Sequence, residues 1–225
     1  MGRCLLSLEA FIKEEPVLLL TSHLESGPES STIRVSQFSE IIKIMSSQTE
    51  RVVVFAGDTN LREKEVNYTT LSSSNIVDVW MKTGSQESTK ATWDLQTNTN
   101  HKMGDTPLQQ QPKARYDRML IRNPSPPLPS SSSVPSTPFS TQTISSFFAP
   151  VPKEAVNALA VPPATSQQNE QTEQPLQPDK DTQSKTFPLK KWVPVHFQLL
   201  GTKKVETIEL FPSDHYGICC DFRLE

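Results

Sequence analysis

Two short polar motifs interrupt apolar runs in this 225-residue chain. "VVVFAGDTNL", from Val52 to Leu61, closes on Asp58 and Asn60, and "FPSDHYG" carries Asp214 and His215. His23 follows another apolar run, and Asp117 punctuates "ARYDRMLIR". A carboxylate and a histidine with an amide between them suit phosphoryl transfer. The carboxylate takes a proton from an attacking water, while the amide and the imidazolium donate hydrogen bonds to charge gathering on the phosphate oxygens. A second carboxylate can hold the imidazole in one tautomer and keep it protonated. Taken singly, each residue has a plainer reading, since an aspartate after a strand more often serves a turn or a helix cap. The combination is what points to chemistry.

These residues need elements to carry them. "PVLLLTSHL" is a short apolar run bounded by polar residues, which predicts a buried strand ending near His23. In "STIRVSQFSEIIKIMSSQ", Phe38, Ile41, Ile42 and Met45 fall on one helical face, with Ser31 or Thr32 as N-cap. Arg51 to Phe55 is the next strand, so the three form a βαβ-like unit with Asp58 and Asn60 at a strand's C-terminal end. Polar groups there face a crevice in many α/β folds. "NIVDVW", "ARYDRMLIR", "WVPVHFQLL", "VETIELF" and "YGICCDFRL" read as further strands, with "FPSDHYG" the corner between the last two.

Composition limits the alternatives. The net charge is −3, so no overall basic field advertises nucleic acid, although Lys113, Arg115, Arg118 and Arg122 crowd one segment. That segment alternates with Tyr116 and Met119, and one face of it is expected to meet DNA phosphates. Three cysteines, two of them adjacent, suit a reducing compartment rather than a disulfide framework. No stretch approaches the roughly 20 apolar residues of a membrane span, and no membrane partner is expected.

Residues 123–190 differ in kind. Most of the 19 prolines and a serine run lie there, with too little apolar surface to offset the cost of ordering the chain. A disordered insertion in a surface loop is predicted, dividing one domain into 1–122 and 191–225. Within it, "TQTISSFF" spaces Ile144, Phe147 and Phe148 like the peptide that docks on the sliding clamp PCNA. Thr141 stands where that peptide has its glutamine.

"TSHLES", "AGDTNL", "TWDLQTNTN", "ARYDR" and "FPSDHYG" occur in the order, and at much of the spacing, of the endonuclease/exonuclease/phosphatase superfamily. Within it they most resemble the 5′-tyrosyl-DNA phosphodiesterases, over about Arg3 to Arg122 and Trp192 to Leu224. The resemblance implies a partial four-layer α/β sandwich, with mixed, largely antiparallel sheets flanked by helices. It implies Mg²⁺-dependent (or Mn²⁺-dependent) hydrolysis of the bond between a DNA 5′-phosphate and tyrosine. That adduct is left by trapped topoisomerase II, so DNA repair in the nucleus, and also the cytoplasm, is expected. Asp58 would deprotonate the attacking water, Asn60 would hold the water or a phosphate oxygen, and His215 would stabilise the transition state. Asp117 would pair with His215, His23 would touch the scissile phosphate from the other side, and Asp214 would support the metal's water shell. Ser26 and Trp93 would lie along the single-stranded 5′ end, Trp93 as a stacking surface.

The family's asparagine in a TWN-like stretch and its metal-binding glutamate in LQE have no counterpart here, and Gly27–Pro28 replaces Thr-Arg. The expectation is therefore the C-terminal half of a catalytic domain, incomplete as an enzyme alone. It should bind Mg²⁺ poorly and expose the inner side of its sheet. The alternatives are another phosphodiesterase or phosphatase of the superfamily, or an inactive fragment that binds DNA or a sliding clamp.

Overall fold

The computed structural model describes residues 2–101, 103–125 and 190–225. Strands β1 (Leu5–Ile12) and β2 (Glu15–Ser22) form an antiparallel hairpin. Lys13 and Glu14 make its two-residue turn, both with left-handed φ, 51° and 66°. Such turns favour Asn-Gly, so Lys-Glu carries no hairpin signal, and β1 is an addition to the elements the sequence predicted. Helix α1 (Ser31–Ser47) then leads to β3 (Val52–Asp58), which pairs in parallel with β2, and the βαβ unit is as expected.

The following elements are α2 (Tyr68–Ser73), β4 (Ile76–Asp78), α3 (Val79–Lys82), β5 (Trp93–Asp94), β6 (Lys113–Ala114) and β7 (Asp117–Arg122). The chain closes on a β8 (Trp192–Leu200) and β9 (Gly217–Leu224) ribbon. The main sheet is five-stranded in the order β1-β2-β3-β7-β4, antiparallel except at β2–β3. Alternation sorts its side chains to two faces. Leu18, Leu20, Val53, Phe55 and Leu120 meet Phe38, Ile41, Ile42 and Met45 of α1. Val17, Val52 and Ile121 turn the other way, toward Trp80, Phe197 and residues of the β8–β9 ribbon. This second face is only partly covered: Leu8, paired across the hairpin with Leu19, is 60% exposed and Leu6 is 62% exposed. No helix among the described residues is long and apolar enough to cross a membrane.

Several local expectations need correction. The N-cap of α1 is Ser30, without a side-chain bond, and the Ser31 hydroxyl donates to Glu65 instead. "NIVDVW" is strand only to Asp78, which caps α3, so that Trp80 turns into the core. "ARYDRMLIR" breaks after Ala114: β6 pairs with β5, and β7 starts afresh at Asp117. "VETIELF" makes only a Val205–Leu210 bridge, because Glu209 takes a left-handed φ of 54° and the apolar residues Val205, Ile208 and Leu210 stay in solvent.

Asn123 closes the seam around the segment that lies outside the described residues. Its Oδ1 accepts from the Trp192 amide at 2.7 Å, and its Nδ2 donates to the Trp192 carbonyl at 3.1 Å. The chain thus leaves the end of β7 and returns to the start of β8 at one point. The predicted clamp-binding residues Ile144, Phe147 and Phe148 lie outside the described residues.

Two residues of the basic segment, Arg115 and Arg118, are turned inward. Arg118 and Arg115 have fully or nearly fully buried side chains, and both pair with Asp78 (3.4 and 2.9 Å) and with Glu63 (3.1 and 3.0 Å). The Arg115 guanidinium also lies 4.3 Å from the Trp80 ring centre, and the Tyr68 hydroxyl bridges Arg115 to Glu63. Two guanidiniums and two carboxylates balance, so their assignment to DNA binding is corrected: desolvation commits them to one another. Removing the Asp78 charge leaves two buried guanidiniums to share Glu63, which is half-exposed. Asp78→Asn is expected to cost about 3–5 kcal/mol of folding stability in urea unfolding.

Candidate active site

The register of β3 against β7 places Asp58 directly opposite Asp117. Gly57 lets β3 approach the end of β2, since a Cβ there would lie 2.3 Å from the Ser22 carbonyl oxygen. That approach brings His23 to Asp58, with Nε2 3.3 Å from Oδ2. From the far end of the chain, His215 Nδ1 sits 2.8 Å from Asp117 Oδ2. One ligand atom from each of Asp58, Asp117 and His215 falls within 4.8 Å of the others. Asn60, at a left-handed φ of 50°, folds its amide back onto Asp58 Oδ1 at 2.9 Å. Its side-chain amide donates to the Leu24 carbonyl at 3.2 Å, tying the two strand ends together.

Electrostatics give these groups different characters. Burial raises the Asp58 pKa, and the Asp117 charge adds to that, while the Asn60 amide, His215 and His23 oppose it. Asp58 is thereby a better proton acceptor near neutral pH than a free carboxylate. Burial works against an imidazolium at His215, but the hydrogen bond and charge of Asp117, with the charges of Asp58 and Asp214, outweigh it and raise the His215 pKa. A carboxylate poised to take a proton beside an imidazolium poised to donate is the arrangement that phosphoryl transfer needs.

Other predicted residues stand apart. Asp214 is exposed, accepts from the Ser213 hydroxyl at 3.3 Å, and lies outside the three-residue cluster. Ser26 is exposed on the loop after His23. Trp93 stacks on Tyr116 with ring centres 5.5 Å apart, and Tyr116 lies 6.4 Å from the His215 ring, forming an aromatic row beside the cluster. Next to Tyr116 is a cleft of about 400 Å³ lined by Arg62, Lys90 and Lys113, with Arg115 already held by Asp78.

Sequence reading missed the residues that mount this site. Thr92 Oγ1 accepts from the amides of Tyr116 (3.1 Å) and Asp117 (3.0 Å), and its carbonyl accepts from the Tyr216 amide at 2.7 Å. One residue therefore holds the backbone of both Asp117 and the neighbour of His215. Asn98 Nδ2 donates to the Ser213 carbonyl at 2.8 Å, and Asn100 exchanges bonds with the Phe211 backbone at 2.7 and 2.9 Å. On the other flank, fully buried Arg34 donates to the carbonyls of Glu25 (3.0 Å) and Gly27 (2.9 Å) and pairs with Glu65 at 2.7 Å. Glu65 in turn accepts from the Arg62 amide, so this pair clamps the loops bearing His23 and Asn60. The crowding of Thr and Asn in "TWDLQTNTN" was the available signal for the first group. Arg34, in the first turn of α1 between Ile33 and Val35, gave none.

The two carboxylates fit a divalent cation, since their hard oxygens suit Mg²⁺ or Mn²⁺, whereas His215 in its protonated form is a donor and not a ligand.

Two titrations follow from these contacts. NMR should place the His215 pKa above its ordinary value of 6.5, and Asp117→Asn should lower it. The stability from that pair is present below about pH 6.5 and lost as pH rises through the folded value. Glu63 and Glu65 behave oppositely. Despite the cost of burial, Arg118 and Arg115 hold Glu63, and Arg34 and Ser31 hold Glu65, each at about 2 instead of 4.5. Their contribution is present above about pH 4.5 and should drain away toward pH 2, read as a falling melting temperature.

No protein-family model matches the sequence. Human tyrosyl-DNA phosphodiesterase 2 (TDP2) is 38% identical over 123 residues, 54% of this chain and 33% of the human protein. TDP2 of Xenopus laevis is 27% identical over 223 residues, 99% of this chain and 42% of that protein. The chain therefore spans between a third and about two fifths of the length of these relatives. The crystal structure of D. rerio TDP2 complexed with single strand DNA product superposes with a TM-score of 0.61 at 24% identity, covering 98% of this chain and 62% of that one. TDP2 from C. elegans gives 0.61 at 24% identity, over 98% and 46%. The fold is shared, and in sequence and architecture alike this chain is similar to a part of tyrosyl-DNA phosphodiesterase 2.

Proposed function

We propose that this chain carries the phosphate-handling part of a 5′-tyrosyl-DNA phosphodiesterase acting on trapped topoisomerase II adducts in nuclear DNA repair. The observation that carries the reading is the convergence of Asp58, Asp117 and His215 within 4.8 Å from three distant parts of the chain. The sequence similarity to TDP2 and a D. rerio relative complexed with single strand DNA product support the substrate class.

Asp58 accepts a proton from water as its oxygen attacks phosphorus. The bond from phosphorus to the tyrosine oxygen breaks with its electrons going to that oxygen, leaving a DNA 5′-phosphate and a tyrosine phenolate that takes a proton from solvent. His215, held protonated by Asp117, donates to a non-bridging oxygen, and His23 approaches the phosphate from the side of Asp58. Asn60 holds the Asp58 carboxylate through its backbone amide. Trp93 and Tyr116 offer stacking faces to the bases of the 5′ end, while Arg62, Lys90 and Lys113 take its phosphates. Asp58 and Asp117 would hold a divalent cation, which we take to be Mg²⁺, and it would neutralise charge on the phosphate. Because the chain has no LQE glutamate, we expect it alone to bind the product end without turning over at enzyme-like rates.

Fluorescence anisotropy with single-stranded oligonucleotides tests the reading. A 5′-phosphate end should bind about 10- to 100-fold more tightly than a 5′-hydroxyl end, as one charged hydrogen bond contributes. His215→Ala should remove most of that difference. Equal affinity for the two ends would reject the proposal. Stronger binding of an abasic duplex or an inositol phosphate would move the chain to another branch of the superfamily.

A further inference from the structure

At the end of β7, away from the Asp58–Asp117 pair, Arg122 is 95% buried by its 5% relative exposure, and no carboxylate lies within ion-pair distance among the described residues. Its acceptors are all neutral: the Gln48 carbonyl at 2.7 Å, the Asn123 carbonyl at 3.4 Å, and the Ser125 hydroxyl at 3.2 Å from Nη2. Nε, which shares one edge of the guanidinium with Nη2, is buried without a hydrogen-bond partner. Burial alone lowers the Arg122 pKa. A buried cation with two of its five N–H donors unused is costly unless an anion meets it.

Ser125 is placed to carry that anion. Its hydroxyl touches the open edge of Arg122, and its amide donates to the Thr49 carbonyl at 3.0 Å, just beyond α1. The side chain is half-buried, not sealed off. In sequence it sits between Pro124 and Pro126, and a following proline biases a residue toward extended backbone. Thr106, Ser125 and Thr137 are the three Ser/Thr-Pro dipeptides of the chain, and among those in the described residues Ser125 alone meets a guanidinium.

We propose that Ser125 is a phosphorylation site whose phosphate is received by Arg122. The Ser125 oxygen attacks the γ-phosphorus of a nucleoside triphosphate bound to a proline-directed protein kinase. The new oxygen–phosphorus bond replaces the β–γ bridge, the hydroxyl proton passes to a base of the kinase, and the nucleoside diphosphate leaves. The dianion then engages the planar fork, which matches phosphate oxygens two at a time. It ties the point where the chain leaves β7 to the end of α1, whose Gln48 and Thr49 carbonyls already bind Arg122 and Ser125.

The test uses the full chain with Thr106→Ala and Thr137→Ala, treated with a proline-directed kinase and ATP and mapped by mass spectrometry. Modification at Ser125 is expected, with a melting temperature raised by about 3–6 °C. In ³¹P NMR the second phosphate pKa should fall below its usual value of about 6. Arg122→Met should abolish both effects, and Arg122→Lys, which keeps the charge without the fork, should retain only part of the pKa shift. The phosphorus titration reads the contact even if a variant is less stable. An unmodified Ser125, a phosphate titrating at the usual value, or shifts that persist in Arg122→Met would each overturn the proposal.

Discussion

Two carboxylates facing each other across one rung of a β-ladder are the constraint around which this structure is organised. Asp58 and Asp117 are direct partners in the β3–β7 pairing, and like charges so placed oppose strand pairing. Each is met by an imidazole from elsewhere, His23 on one and His215 on the other. The arrangement works only in this register, because a slip of one residue in either strand would put the two carboxylates on opposite faces. Thr59 helps to lock it, with amide and hydroxyl both donating to the Tyr116 carbonyl (2.9 and 2.7 Å).

Holding charges together requires a stiff mount, and it comes from two largely buried ionic clusters, one on each flank. Arg34 with Glu65 fixes the loops of His23 and Asn60, while Arg115 and Arg118 with Asp78 and Glu63 fix the segment leading into Asp117. Such clusters are a poor source of net stability compared with apolar packing. Here they join strand and helix residues (Arg118, Asp78, Arg34) to the loops beside them, and so define loop positions that hydrophobic contacts alone would leave loose. The same logic explains why Arg115 and Arg118, on either side of Asp117, are unavailable to DNA.

The second face of the sheet has a different character. α1 seals one side with interlocking Phe38, Ile41, Ile42 and Met45, whereas the β8–β9 ribbon covers only part of the other and leaves Leu6 and Leu8 of β1 in solvent. The Asn123–Trp192 exchange holds that ribbon's first strand to the end of β7, so that the loop before β9 can bring His215 to Asp117.

What the sequence determined by itself was local. The 3.6-residue spacing of α1 and the apolar runs of β2, β3, β8 and β9 follow from side-chain patterning, which a single strand or helix face enforces. The polar residues at their ends, Asp58, Asn60, Asp117, His23 and His215, were visible for the same reason: charge interrupting an apolar run stands out. Tertiary structure decided the direction of side chains whose type is ambiguous. Arg115 and Arg118 look identical to DNA-binding arginines until Asp78 and Glu63 close on them. The Lys13–Glu14 turn, the helix at Trp80 and the hub at Thr92 likewise depend on partners distant in the chain. Periodicity reports which face of an element is apolar; only packing reports what a polar group meets there.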